Sequence, residues 1–359
     1  MIDDRITEFR NRLDKNKLDA MLISKPENIR YLSGFTGGSD AVLLVSSHHQ
    51  YIITDSRYTE QVHRECPGWE LRLEKPASRE ELVNLSKMYK DIGFESQYLT
   101  HHEYVELEKN MPGQFIPLLS LVEAQRIIKE EEELDLLRKA AQIGDRVFSE
   151  ICSIIQTDVS EKHIANQIVY FLKDLGCDKE SFDTISVSGA NAALPHGQPG
   201  DKLLKPGDML TLDYGGFYKG YASDMTRTIA IDRAEQKLID RYQAVLEAQL
   251  TGLSMVKEGA RCKDIDQSIR RCLKKYDMDK YFIHGTGHGV GLEIHEAPRV
   301  SFGSDEILKK NMVITIEPGI YISGWGGIRI EDTVIVKDGG CEVITHSDKE
   351  LLIIDGGIK

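Results

Sequence analysis

The chain has 359 residues, 41% hydrophobic and 29% charged, the balance of a soluble protein with enough apolar material to core two domains. Its net charge of −13 opposes a nucleic-acid partner, whose phosphates it would repel, and no apolar run reaches the roughly 18–20 residues that cross a bilayer. The charged opening MIDDRITEFRNRLDK has no apolar signal-peptide stretch, and six scattered cysteines show no Cys-x-x-Cys spacing, so reduced thiols in a cytoplasmic protein are expected.

Residues 1–120 alternate helical and strand patterns. An amphipathic segment (Ile2–Leu18) leads through DAMLIS and PENIRYLSGF to two apolar runs, AVLLVSS and YIITD. Then come SRYTEQVHREC with helical spacing, the strand-like WELRLE, a helix near 78–90, DIGFES, a helix at 101–111 and FIPLLSLV. This order predicts an α/β domain with a mixed sheet, ending near residue 121. A helix is predicted from Val122 to about Ile155, since Ile127, Leu134, Leu137, Ala141, Phe148, Ile151 and Ile155 recur every three or four residues. The acidic run Glu130–Glu133 near its start suits the helix dipole and reads as a solvated face.

The second domain, 122–359, continues with the helix SEKHIANQIVYFLKDLG and the strand-like TISVSG, DMLTLDYGG and YKGYASDMTRTIAI. A helix pair (234–256 and 261–276) and three further β-patterned runs follow. Helices here alternate with antiparallel pairs, which predicts an α+β fold. The order of helix pair then hairpin occurs twice and hints at an internal duplication.

Four of the β-patterned runs carry a carboxylate where a strand in a core should be apolar: Asp213, Asp224, Glu317 and Glu331. Burying a lone carboxylate costs several kcal/mol unless something pairs with it. Asp213 and Asp224 flank Gly215, Gly216 and Gly220, a hairpin spacing that would put both on one face of adjacent strands. Asp224, Thr226 and Thr228 then share that face, opposite Met225, Arg227 and Ile229. Alone, the two aspartates read as turn residues; alongside the other three candidate ligands they read as metal ligands. His288 lies in HGTGHGVGLEIHEAP, whose glycines at 285, 287, 289 and 291 permit close backbone approach, with His284 and His295 in the same segment. Oxygen ligands with one imidazole suit Mn, Co, Fe or Zn. Five ligands exceed one ordinary site but fit two metals sharing bridging carboxylates. Arg329, two residues before Glu331 on the same strand face, is expected to orient it. No His-Glu-x-x-His, G-x-S-x-G or P-loop occurs.

This ordered set, with PHG at 195–197 and GIRIED, resembles the pita-bread-fold metallopeptidases of family M24, the clan of Xaa-Pro dipeptidases (prolidases), aminopeptidase P and methionine aminopeptidases. The resemblance covers the whole chain. It implies a pita-bread (creatinase/aminopeptidase) catalytic domain after a creatinase/prolidase N-terminal domain. It further implies a homodimer with two divalent metal ions per subunit, manganese foremost and cobalt, zinc or iron as alternatives. Asp213 would chelate one metal, Asp224 and Glu331 would bridge, and His288 and Glu317 would complete the second. A water activated by both metals would attack the X-Pro bond, with Glu317 relaying a proton and His295 aiding the oxyanion. Arg329 counts among the catalytic residues, and His196, His284, Arg299 and Tyr321 would meet the substrate. The run Gly34–Asp40 could restrict the pocket, in this family often that of the partner subunit. Large N-terminal domains are unusual among methionine aminopeptidases, and creatinases lack this ligand set. The resemblance therefore implies an Xaa-Pro dipeptidase, with aminopeptidase P as the alternative and a non-catalytic peptide-binding protein as the rival of another class.

Overall fold

The computed structural model describes residues 2–76 and 78–357, in two compact units, Met1–Arg126 and Ile127–Lys359. The first unit is built on a six-stranded sheet in the order Glu70–Leu73, Gln50–Thr54, Ala41–Ser46, Ala20–Ile23, Asp91–Glu95, Gln114–Leu118. The three strands between residues 20 and 54 pair antiparallel and the remaining neighbours pair parallel, so the sheet is mixed, as expected. Ala20–Ile23 and Ala41–Ser46 are buried along their whole length, which explains why both read as continuous apolar runs without alternation.

The helix expected to run unbroken from Val122 is interrupted. A turn at Glu123–Arg126 is followed by the helix Glu131–Ile154. The Lys129 amide donates to the Asn311 carbonyl, and its buried ammonium lies 3.0 Å from Glu296, so tertiary contacts claim this residue. Glu130 then starts the helix through a reciprocal capping box with Glu133. The apolar stripe read from the sequence does face the core: Leu134, Leu137, Ala141, Phe148 and Ile151 are all buried. At about 1.5–3 kcal/mol for each fully buried large side chain, packing outweighs any propensity term.

Within the second unit one arrangement occurs twice. The helices Glu131–Ile154 and Glu161–Asp174 share a core with a four-stranded sheet ordered Ile353–Ile354, Met225–Ile231, Met209–Tyr214, Ile185–Ser188. The helices Gln236–Met255 and Cys262–Lys274 share another with a five-stranded sheet ordered Glu296–Val300, Gly287–Gly289, Val313–Ile316, Asp332–Lys337, Gly340–Val343. The hairpin Gly319–Ile322/Gly326–Arg329 leads back from the second sheet toward the first. There the Glu331 amide donates to the Thr226 carbonyl at 3.1 Å. Carboxylates from both sheets are thereby brought to one place.

Candidate metal and peptide site

Strand alternation sets the first two carboxylates. Asp213 pairs with Thr226 across antiparallel strands, and Asp224, one residue before the second strand, has the same parity as Thr226 and Thr228. The hydroxyls of Thr211 and Thr228 meet at 3.2 Å on this face. The opposite parity is buried too. Arg227, 1% exposed, donates to Asp332 at 2.8 Å and to the carbonyls of Thr226 and Glu331. Asp332 also accepts from Gln249, Lys349 and Thr345. This back-to-back ion pair was not anticipated. Its signal was an Asp and an Arg at the core-facing parity of strands whose other face already carried carboxylates.

The second sheet supplies His288 and Glu317. Gly287 and Gly289 are required by close approach: a Cβ at either would lie 2.0 Å from the Thr315 carbonyl oxygen or 2.2 Å from that of Ala297. His288 Nδ1 faces its neighbour's carbonyl, Gly289 O, at 3.0 Å, which holds a proton on Nδ1 and turns Nε2 toward the carboxylates. That Nε2 lies 3.4 Å from Asp224 Oδ2 and 3.5 Å from Glu317 Oε1. Ligand atoms of Asp224, His288 and Glu331 fall within 4.8 Å of one another.

All eleven residues singled out in the sequence line one cavity of about 660 Å³: Asp213, Asp224, His288, Glu317 and Glu331, with His196, His284, His295, Arg299, Tyr321 and Arg329. Phe182, Asp183, Ile185, Gln198 and Glu296 line it as well and were missed. Only Gln198, in PHGQPG, and Glu296, next to His295, carried a sequence signal. Arg329 does not meet the carboxylate expected. Its guanidinium donates to Asp213 Oδ2, to Tyr321 Oη at 2.6 Å and to Thr226 Oγ1 at 3.1 Å. Glu331 is served by Thr226 Oγ1 instead, at 2.7 Å. The two do not share one continuous strand as expected: Arg329 ends the strand Gly326–Arg329, and Glu331 lies in the break before the strand Asp332–Lys337. Tyr321 in turn lies 2.9 Å from His284 Nε2, while His284 Nδ1 faces the Gly285 carbonyl at 2.7 Å. The hydrogen bonds therefore run Arg329 to Tyr321 to His284.

Burial raises the Asp224 carboxyl to about 6 against the His288 hydrogen bond, and it raises Glu317 to about 7. Glu331 is pushed well above the carboxylate range by burial and by the charges of Asp224 and Glu317. Burial pulls His288 down, yet the Asp224 hydrogen bond and the Glu317 charge outweigh it and lift the imidazole to about 9. Burial drops His284 to about 4 and also lowers His295. Asp213 Oδ1 is buried with no protein partner. A crowd of buried carboxylates, one orphaned oxygen and an imidazole whose Nε2 faces them fit a divalent cation, whose charge reverses the protein's own preference for protonation and frees Nε2 to ligate.

Comparison with known proteins agrees with this chemistry. Residues 135–338 match metallopeptidase family M24, and residues 5–128 match the creatinase/prolidase N-terminal domain. The chain is 35% identical to an Xaa-Pro dipeptidase of Pyrococcus furiosus over 97% of its length and 99% of that protein. A solved Xaa-Pro dipeptidase from Bacillus anthracis superposes with a TM-score of 0.96 at 41% identity, over 98% of this chain and 100% of that one. An X-Pro aminopeptidase structure from Thermotoga maritima gives 0.88 at 33% identity, over 96% and 100%.

Proposed function

This chain belongs to metallopeptidase family M24, a family of metal-dependent hydrolases, and within it we propose that the protein is an Xaa-Pro dipeptidase. The observation that carries the reading is the gathering of four carboxylates and the His288 imidazole on one cavity wall with Arg299 at the same cavity. Asp213 would hold one metal, Asp224 and Glu331 would bridge to a second, and His288 and Glu317 would complete it. Two divalent cations bound there, manganese foremost, supply Lewis-acid polarisation of the scissile carbonyl and of a water.

The chain's own groups do the rest. Glu317 takes a proton from the nucleophile and delivers it to the departing proline nitrogen. His295, whose burial disfavours the charged imidazole, donates an N–H to the developing oxyanion. His196, His284 and Tyr321 shape the pocket around the proline ring, which offers no N–H to bind. Arg329 fixes Asp213 and Tyr321 together. The Arg299 guanidinium has no ion pair or hydrogen bond among the described residues, which suits it to a substrate carboxylate just after proline.

One observation favours aminopeptidase action as a second reading. A neighbouring cavity of about 490 Å³ shares His284, Gly285 and Arg299 and continues along Ile283, Ser301 and Phe302, where residues beyond proline would fit. A homodimeric assembly is supported by the family resemblance. A cytoplasmic setting is supported by six unpaired cysteines. The deciding test assays Gly-Pro, Ala-Pro and an X-Pro-X-X peptide side by side with Mn, Co and Zn. Turnover confined to the dipeptides is expected. Preference for the longer peptide establishes the aminopeptidase reading, and no cleavage of either with any metal overturns both.

A further inference from the structure

Pro195, His196 and Gln198 reach the cavity on a connection that leaves the strand Ile185–Ser188 and passes a short 3-10 turn, Gly189–Ala193. With Gly197, Pro199 and Gly200 beyond the turn, this span has little secondary structure of its own. The middle of the span is tied to the hairpin. The Arg329 guanidinium donates to the Pro195 carbonyl at 3.3 Å, and a Cβ at Gly327 would lie 2.0 Å from the Ala192 carbonyl oxygen.

Its two ends converge on one buried carboxylate, Glu161, in the first turn of the helix Glu161–Asp174. Oε1 accepts from the Ser188 amide at 2.7 Å and from the Ser188 hydroxyl at 2.8 Å. Asn191 Nδ2 lies 3.2 Å from each carboxylate oxygen, and the Gly200 amide donates to Oε2 at 3.3 Å. The backbone closes the same junction, since the Glu161 amide donates to Lys202 O and the Lys162 amide to Gly200 O, each at 3.0 Å. Lys202 Nζ completes it with 2.6 Å hydrogen bonds to Ser188 Oγ and Asp208 Oδ2. A buried carboxylate is costly, and here it is satisfied wholly by donors from both ends of one loop. None of those donors belongs to Asp213, Asp224, His288, Glu317 or Glu331.

We propose that Glu161 is a positioning residue for the substrate pocket, holding the 188–200 span so that His196 meets the substrate. The inference rests on the reading of His196 as a substrate contact. Glu161→Gln replaces one acceptor oxygen by an NH₂ that confronts the loop's donors. KM for Gly-Pro is expected to rise about tenfold, the scale of one lost charge-assisted contact, with kcat and bound manganese nearly unchanged.

The decisive measurement is a double-mutant cycle with His196→Ala on the manganese-loaded enzyme, with metal content read by elemental analysis. If Glu161 acts through His196, the double variant's KM matches that of His196→Ala alone. Effects that multiply independently, an unchanged KM in Glu161→Gln, or loss of metal from it would each overturn the proposal. Asn191→Ala removes one donor to the same carboxylate and carries the same cycle should Glu161→Gln not fold. A His196→Ala enzyme with unaltered KM would overturn the reading of His196 and the positioning role with it. A raised KM there with multiplying effects overturns the positioning role alone.

Discussion

Arg329 donates through Nη2 to Asp213 Oδ2, while the other oxygen of that carboxylate, Oδ1, is buried with no protein partner. One oxygen is thus anchored by a fixed cation and the other is left for a ligand. Lysine at 329 would keep the charge but, as a point donor, could not hold Asp213, Tyr321 and Thr226 together. Arg329→Lys is expected to weaken metal binding by about ten- to a hundredfold, the range for groups that orient ligands. Titration of the variant with manganese under chelator competition checks this, and unchanged affinity would refute the anchoring role.

The proposed bridging carboxylates give a larger effect. Asp224→Asn or Glu331→Gln should lower kcat by roughly a thousandfold or more, since several kcal/mol of nucleophile activation depend on them. Metal content and turnover should fall together. Near-normal turnover in a folded, metal-free Asp224→Asn protein would sink the mechanism.

Neither His284 nor His295 belongs to the group of close ligand atoms formed by Asp224, His288 and Glu331, and burial disfavours the charged form of both imidazoles. Their alanine variants should depress kcat while retaining two equivalents of metal. Loss of a metal from either would show that His288 is not the sole imidazole ligand.

Arg299 tests substrate length. Arg299→Ala should raise KM for X-Pro dipeptides at least about tenfold, the loss of one charge-assisted contact. An X-Pro-X-X peptide should be much less affected, because its carboxylate lies elsewhere. Equal losses on both substrates would reject the assignment.

Away from the site, Arg138 on the helix Glu131–Ile154 grips Glu342 on the strand Gly340–Val343, at 2.7 and 3.0 Å. That hydrogen-bonded pairing, opposed by partial burial, holds the Glu342 carboxyl down at about 2, against an ordinary 4.5. Because the folded value is depressed, its stabilisation is complete above the unfolded value and is lost as pH falls from about 4.5 through about 2. The pair is one-third exposed and therefore screened, so Glu342→Gln should lower Tm by only about 1–3 °C at pH 7. The difference from the parent should vanish near pH 2. A constant difference across that range would mean that Glu342 acts through packing and not through charge.

What the sequence determined by itself was local. Two-residue alternation places Asp224, Thr226 and Thr228 on one strand face, and the glycines around His288 announce close backbone approach. A carboxylate in an apolar strand is conspicuous without any coordinates, so the donor chemistry was legible. Tertiary structure alone decided which groups meet. It sent Arg329 to Asp213 and not to Glu331, paired Arg227 with Asp332 behind the site, broke the long helix where Lys129 turns in to Glu296, and brought both ends of the His196 loop to Glu161. Each of these depends on where another sheet, helix or hairpin returns tens to a hundred or more residues away. Side-chain periodicity fixes the face a residue presents, but packing between distant segments fixes what that face touches.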